Sequence, residues 1–171
     1  MKMLVALDGS PFAEAILPKA AAIAESTGTE VILMRVLNPA DVYTTWRSDA
    51  ALASFVVNEV FPAAFTHDRV MAESKDQAAD RAIHDGREYL EEKAHRFFPG
   101  GARTDVTIGE HVAQELLEYV RRNDVDFIAM ATHGRSGIAK LVMGSVASEV
   151  LQSKAVPVLL IRPDALVAAV A

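Results

Sequence analysis

The sequence predicts an α/β protein in which one open, parallel β-sheet is covered by helices on both faces. Three short runs, Met3–Asp8, Glu30–Leu37 and Val125–Ala131, are almost wholly apolar, as strands are when both faces of their sheet are buried. Segments with helical spacing of apolar residues alternate with these runs, which is typical of parallel strands joined by right-handed crossovers. The 171 residues suit one domain, since domains average about 150 residues.

The first two strands and the helix between them have clear boundary signals. Ser10 is suited to cap a helix and Pro11 to begin one, so we predict a helix over 11–27 that ends before Gly28. Pro18 lies inside this helix and should kink it. The second strand, Glu30–Leu37, is rich in valine, isoleucine and leucine and is followed by an Asn-Pro pair.

The next segment, residues 39–74, is harder to assign, although 50–65 is apolar enough for a helix. Beyond it the patterns predict, in order, a helix over 75–98, a strand over 103–108, a helix over 110–122, the strand 125–131, a helix over 144–154 and a last strand over 156–161. A connection as long as 39–74 is more than a simple link, and it leaves the second strand at the end where ligands bind. We therefore predict a lid or a partner surface there.

The composition excludes several classes of function. The formal charge is −6, from 17 Lys and Arg against 23 Asp and Glu. We expect neither nucleic acid nor a membrane as a partner, because gripping nucleic acid or an anionic membrane requires a clustered basic face. The absence of cysteine removes disulfides, thiolate zinc sites and cysteine nucleophiles. No apolar run reaches the roughly 18 residues of a membrane-spanning helix, and none resembles a signal peptide. The expected location is the cytoplasm.

Small ligands of such sheets bind beyond the carboxyl ends of the strands, so the loops after the strands are the informative ones. The first loop, Asp8-Gly9-Ser10, lacks the G-x-G-x-x-G of dinucleotide-binding turns, and no P-loop sequence occurs in the chain. Asp8 is placed either to hold a hydroxyl or amine of a ligand or simply to hydrogen-bond the start of the next helix.

The loop after the fourth strand carries more information. Gly134 and Gly137 allow the backbone to turn sharply and to approach a ligand closely. Gly144 and Ser145 begin a helix whose free N–H groups favour an anion. A strand end, a small-residue turn and a helix N-terminus can together hold a polyphosphate. The alternative is that Ser145 only caps its helix and the glycines only turn the chain, and the spacing alone favours neither.

The spacing of this loop resembles that of the universal stress proteins. Nucleotide-binding members of that family carry a glycine, two residues, a second glycine, nine residues, a third glycine and then Ser or Thr. This chain keeps the spacing with Ala131, Gly134, Gly144 and Ser145, so that an alanine replaces the first glycine. The stretches 4–10 and 144–162 are also similar to the family's first strand with its acidic residue and to its last helix and strand.

The resemblance implies the strand order 3-2-1-4-5, ATP as a ligand with or without Mg²⁺, and a homodimer formed through the last strand. Adenine would lie near Asp8 and the backbone of Val36, ribose near Ala131, and phosphates at the later glycines. The predicted nucleotide-binding residues are Asp8, Val36, Ala131, His133, Gly134, Arg135, Gly144, Ser145 and Val146. The methyl group of Ala131 matters little if the backbone there is extended, and more if a positive φ is required.

Two other kinds of site are disfavoured by the sequence. A serine hydrolase is disfavoured because the glycine after Ser136 comes one residue too early for a nucleophile elbow. A metal site on His84 and His95 is disfavoured because histidines on a charged helix are usually solvated.

The resemblance therefore implies a regulatory, stress-response protein that binds ATP. The alternative is a nucleotide-free protein of the same fold that acts through protein–protein contacts. No general base or arginine finger is identifiable, so any ATP hydrolysis would be slow or dependent on a partner. The predicted domain spans 1–163, and residues 164–171 form a tail.

Overall fold

The structure, a computed structural model, describes residues 1–43, 67–132 and 143–163, with side chains from residue 75 onward in the second range. The strands in these ranges are β1 (Lys2–Ala6), β2 (Glu30–Leu37), β3 (Arg103–Ile108), β4 (Phe127–Ala131) and β5 (Val158–Ile161). The helices are α1 (Pro11–Glu14), α2 (Leu17–Thr27), α3 (His67–Phe97), α4 (Val112–Asn123) and α5 (Ser145–Ser153).

The described strands form one parallel sheet in the order β3-β2-β1-β4-β5. The predicted fold class and strand order are confirmed. The order reverses between β1 and β4, so the crevice at their carboxyl ends is the place where ligands of such sheets bind. The predicted helix over 50–65 and the predicted tail 164–171 lie outside the described residues.

Two apolar cores cover the two faces of the sheet. One joins the sheet to α1, α2 and α3, and the other joins it to α4 and α5. The central strand β1 is buried on both faces, with Met3, Leu4 and Val5 fully inaccessible to solvent. This burial explains why the strand is apolar without alternation. The carboxyl ends of β1 and β4 are consequently held in fixed positions by a rigid sheet.

The predicted kink at Pro18 is wrong, because the chain instead forms two separate helices. The helix α1 ends at Glu14, and α2 begins at Leu17 with Pro18 in its first turn. A proline ring collides with the carbonyl group four residues earlier, which here belongs to Glu14, and proline has no N–H to continue the ladder. Ending one helix at Glu14 and starting another at Leu17 removes both problems. The predicted end of this region, Thr27 before Gly28, is confirmed.

The other boundaries differ from the predictions by a few residues, with one larger exception. The helix α3 begins at His67 instead of residue 75 and so includes the end of the segment 39–74. At the other end of that segment, residues 39–43 are helical. The strands β4 and β5 begin two residues later than predicted. Val125 and Val156 extend the apolar pattern because they pack in the core, but they lie ahead of the strands.

Candidate functional site

A cavity of about 770 Å³ lies at the carboxyl ends of β1, β2 and β4. Six of the predicted site residues line it: Asp8, Val36, Ala131, Gly144, Ser145 and Val146. The remaining three predicted residues, His133, Gly134 and Arg135, lie outside the described residues. The fold therefore brings together every predicted site residue that it describes.

Asp8 leaves the sheet directly after β1 and forms the turn that leads into α1. Its Oδ1 accepts a hydrogen bond of 2.8 Å from the backbone N–H of Ser10. Ser10 is the N-cap of α1, and its Oγ accepts a bond of 3.1 Å from the N–H of Ala13. The expectation that Asp8 hydrogen-bonds the start of the helix is confirmed, and the same residue lines the cavity. A carboxylate held in this way presents a fixed acceptor at the cavity edge.

Gly9, the next residue, is constrained by both its backbone and its neighbour. Its φ is +85°, a conformation that residues with a side chain rarely adopt. A Cβ atom at this position would lie only 2.8 Å from Nη2 of Arg35, which projects from β2. The turn that carries Asp8 therefore rests against a guanidinium group that also lines the cavity.

A network of polar side chains holds that guanidinium group. Cζ of Arg35 lies 5.3 Å from the centre of the Tyr89 ring on α3, within the range of a cation–π contact. The Tyr89 hydroxyl donates a hydrogen bond of 3.0 Å to Oε1 of Glu14, and Nζ of Lys93 lies 3.3 Å from the same oxygen. Burial is the main cause that raises the pKa of Tyr89 above its ordinary value, and the nearby Glu14 carboxylate raises it further. The phenol therefore stays a neutral donor.

The end of β4 has the conformation that tolerates an alanine. Ala131 is the last residue of the strand and pairs with Ile161 of β5. Among the described residues with a side chain, only Asp124 and Lys154 have a positive φ, so the backbone of Ala131 carries no such strain. The next residue, Thr132, continues the contact, because its N–H donates to the Ile161 carbonyl at 2.8 Å. The alanine at this position thus adds a methyl group without distorting the strand.

The start of α5 shows which residue caps this helix. Gly144, with φ −59° and ψ 154°, is the N-cap, and its carbonyl accepts a bond of 2.9 Å from the N–H of Ser148. Ser145 is the first helical residue and is exposed. The alternative that Ser145 caps the helix is therefore wrong. Because Gly144 has no side chain with which to cap, the first-turn N–H groups at the cavity wall are left to other acceptors.

Several lining residues were not predicted from the sequence. Asn38 and Asp41 follow β2, where Oδ1 of Asn38 accepts a bond of 2.8 Å from the N–H of Ala40. An Asn-Pro pair after a strand is a signal for such a helix start, although not for a ligand site. Val112 and Leu116 of α4 also line the cavity. Their spacing predicts an apolar helix face, but such a face packs in the core of most proteins and does not by itself indicate a ligand site.

The lining of the cavity combines two kinds of chemistry. Part of it is apolar and is formed by Met34, Val36, Val112, Leu116 and Met130. Another part consists of small residues and the N-terminus of α5, which carries a partial positive charge. Such a cavity suits a ligand with a flat apolar part and an anionic part. In the described ranges, no three histidine, aspartate or glutamate side chains gather as a metal site would require, and no helix there is long and apolar enough to cross a membrane.

Comparisons with known proteins point to one family. The sequence model of the universal stress protein family matches residues 47–162. Universal stress protein YxiE of Bacillus subtilis is 28% identical over 161 residues, which cover 94% of this chain and 98% of that protein.

Two solved structures share the fold. That of hypothetical protein MJ0577 has a TM-score of 0.68 at 19% identity and covers 95% of this chain and 96% of its own. That of a universal stress protein in complex with cAMP has a TM-score of 0.51 at 18% identity and covers 96% of this chain and 98% of its own.

Proposed function

The chain belongs to the universal stress protein family, and from that premise we propose that it binds an adenine nucleotide, with ATP as the ligand, in the cavity between β1, β2 and β4. The proposal depends on one observation above all. Six residues that the sequence singled out on three separate segments line a single cavity of about 770 Å³. Another universal stress protein has been solved with a related nucleotide, cAMP, which supports the same class of ligand.

The proposed pose follows the chemistry of the lining residues. Adenine lies against the apolar residues near Val36, with Asp8 accepting from its amino group or from a ribose hydroxyl. The ribose lies next to Ala131. The phosphates meet the first-turn amides of α5 and the hydroxyl of Ser145, where the helix dipole favours negative charge.

We propose that the nucleotide acts as a bound signal more than as a rapidly consumed substrate. The sequence offers no general base or arginine finger of identifiable geometry, and catalysis of phosphoryl transfer depends on such positioned groups. Nucleotide occupancy would then set the state in which the protein meets a partner during stress. The nucleotide is expected with or without Mg²⁺, which titrations in the presence of MgCl₂ and of EDTA distinguish.

We also propose that the protein forms a homodimer through β5. All four residues of Val158–Ile161 are half-buried in the single chain, and no other strand in the described ranges pairs with the outer edge. An exposed, apolar edge strand readily pairs with a second copy, and two-fold pairing is the commonest closed arrangement.

Isothermal titration calorimetry tests the proposed function. The protein is stripped of nucleotide under mild denaturation, refolded and titrated with ATP, AMP and GTP. We expect saturable binding of the adenine nucleotides at micromolar to low millimolar concentration. If neither ATP nor AMP binds at millimolar concentration, the nucleotide proposal fails, and the alternative of a nucleotide-free interaction protein takes its place.

A further inference from the structure

Arg35 is unusual among the residues of the central strands. It interrupts the apolar run of β2, directly after the four buried residues Val31–Met34. A charged side chain in a buried strand is normally avoided unless partners hold it. Arg35 is only half-buried, and it reaches the carboxyl edge of the sheet, where it lines the cavity.

Two contacts limit where the guanidinium group can lie. It lies over the Tyr89 ring, at 5.3 Å from the ring centre. It also lies so close to Gly9 that a Cβ there would come within 2.8 Å of Nη2 and 3.0 Å of Cζ. Tyr89 is in turn held through its hydroxyl by Glu14, at 3.0 Å. The guanidinium group is a rigid plane, so its two contacts link the Tyr89 ring to the turn.

We propose that Arg35 is a positioning residue of the nucleotide site: its guanidinium group, held on Tyr89, braces the Gly9 turn and thereby fixes Asp8 at the cavity edge. This inference rests on the proposed function for its effect on the ligand. The brace itself is a property of the nucleotide-free protein and can be tested there.

The brace predicts an energetic coupling between Arg35 and Gly9. We expect Gly9→Ala to lower the urea midpoint for unfolding, because the turn has φ +85° and because the new methyl group collides with Arg35. In an Arg35→Met background the collision is gone and only the backbone strain remains. The shift caused by Gly9→Ala should therefore be smaller in that background. If Gly9→Ala does not fold, Gly9→Asn replaces it, since asparagine tolerates a positive φ and still carries a Cβ.

The same residue should affect nucleotide affinity in a characteristic way. A displaced Asp8 weakens contacts at the nucleoside end, so Arg35→Met should lower the affinity for adenosine and for ATP by the same factor, about three- to tenfold as expected when one hydrogen bond to Asp8 is weakened. Arg103→Met is the matched control. It removes the same charge from β3 at the far end of the sheet, where Arg103 is exposed and lies 3.8 Å from Glu30. It should leave both affinities unchanged.

Urea unfolding of the four variants of the cycle and calorimetry with adenosine and ATP test the brace. A smaller Gly9→Ala shift in the Arg35→Met background, with equal losses of affinity for both ligands, supports it. Equal shifts in the two backgrounds, or unchanged affinity in Arg35→Met, overturn it. A loss confined to ATP also overturns it, because Arg35 would then contact phosphate directly. If the wild type binds neither ligand, the proposed function fails, while the unfolding cycle still decides whether Arg35 braces the turn.

Discussion

Replacing Ser145 with alanine separates the ligand role of this residue from any structural role. In the proposed pose the Ser145 hydroxyl donates a hydrogen bond to a phosphate oxygen. Ser145 is exposed, and the N-cap of α5 is the preceding residue, Gly144. The substitution therefore removes a proposed ligand contact without removing a helix cap.

Two magnitudes are expected from the loss of this one hydroxyl group. A hydrogen bond to a charged group contributes about 1.5–3 kcal/mol, so Ser145→Ala should weaken ATP binding by roughly ten- to a hundredfold. A lost cap would cost about 1 kcal/mol of folding stability, but no cap is lost here. Serine and alanine at a helical position differ by at most about 0.5 kcal/mol, in favour of alanine. The melting temperature of the nucleotide-free protein should accordingly stay within about 2 °C of the wild type.

Differential scanning calorimetry with and without ATP measures both quantities. At a ligand concentration of 100 times the wild-type Kd, binding stabilises the wild type by about 2.7 kcal/mol. A tenfold weaker variant retains about 1.4 kcal/mol and a hundredfold weaker one about 0.4 kcal/mol by the same relation. Ser148→Ala is the control, because it makes the same change one turn later on α5, away from the residues that line the cavity. An ATP-induced upshift in Ser145→Ala equal to that of Ser148→Ala would refute the proposed phosphate contact.

Three further outcomes are expected. Gly144→Val should fold, since Gly144 has a φ of −59° that any residue adopts. The valine side chain should nevertheless block the first-turn amides of α5 and abolish ATP binding in calorimetry. Retained binding would contradict the proposed pose. Leu160→Pro should convert the proposed dimer to monomer in sedimentation velocity, whereas Leu160→Ala should not. The carbonyl groups of Pro157 and Ile161 accept hydrogen bonds from the β4 side, which leaves the Leu160 N–H at the outer edge of the sheet. A wild type that sediments as a monomer at high micromolar concentration would refute the proposed interface. Because the pKa of Tyr89 is raised in the folded protein, the neutral phenol contributes its full stabilisation below pH ~10, the ordinary phenol value, and this stabilisation is lost as the pH rises above that value. The difference in unfolding free energy between wild type and Tyr89→Phe should therefore shrink from pH ~9 to ~11. A constant difference would contradict the assigned environment.

Most of the fold was predictable because local signals and the global fold agree. Apolar runs buried on both faces marked the strands, and Gly28 marked the end of α2. The exception at Pro18 shows the limit of a local rule. Proline forbids an uninterrupted helix, but whether the chain kinks or restarts depends on how Ile16 and Leu17 pack, and both are fully buried in the core.

The candidate site was predictable where it depends on loops at strand ends. Asp8 comes shortly after β1, and Gly144 directly precedes α5. A parallel sheet brings such positions together at the carboxyl ends of its strands. The contributions of Arg35 and Tyr89 were not predictable. They depend on a contact between β2 and the distant helix α3, and nothing in either segment alone indicates it.

The central claim is that this cavity holds an adenine nucleotide, and mass spectrometry of co-purified small molecules tests it most directly. Wild type and Gly144→Val are purified in parallel without added nucleotide, and the molecules released on denaturation are identified and quantified. We predict an adenine nucleotide in a substantial molar fraction of the wild type and little in Gly144→Val. Its absence from the wild type, or equal amounts in both proteins, would contradict the account.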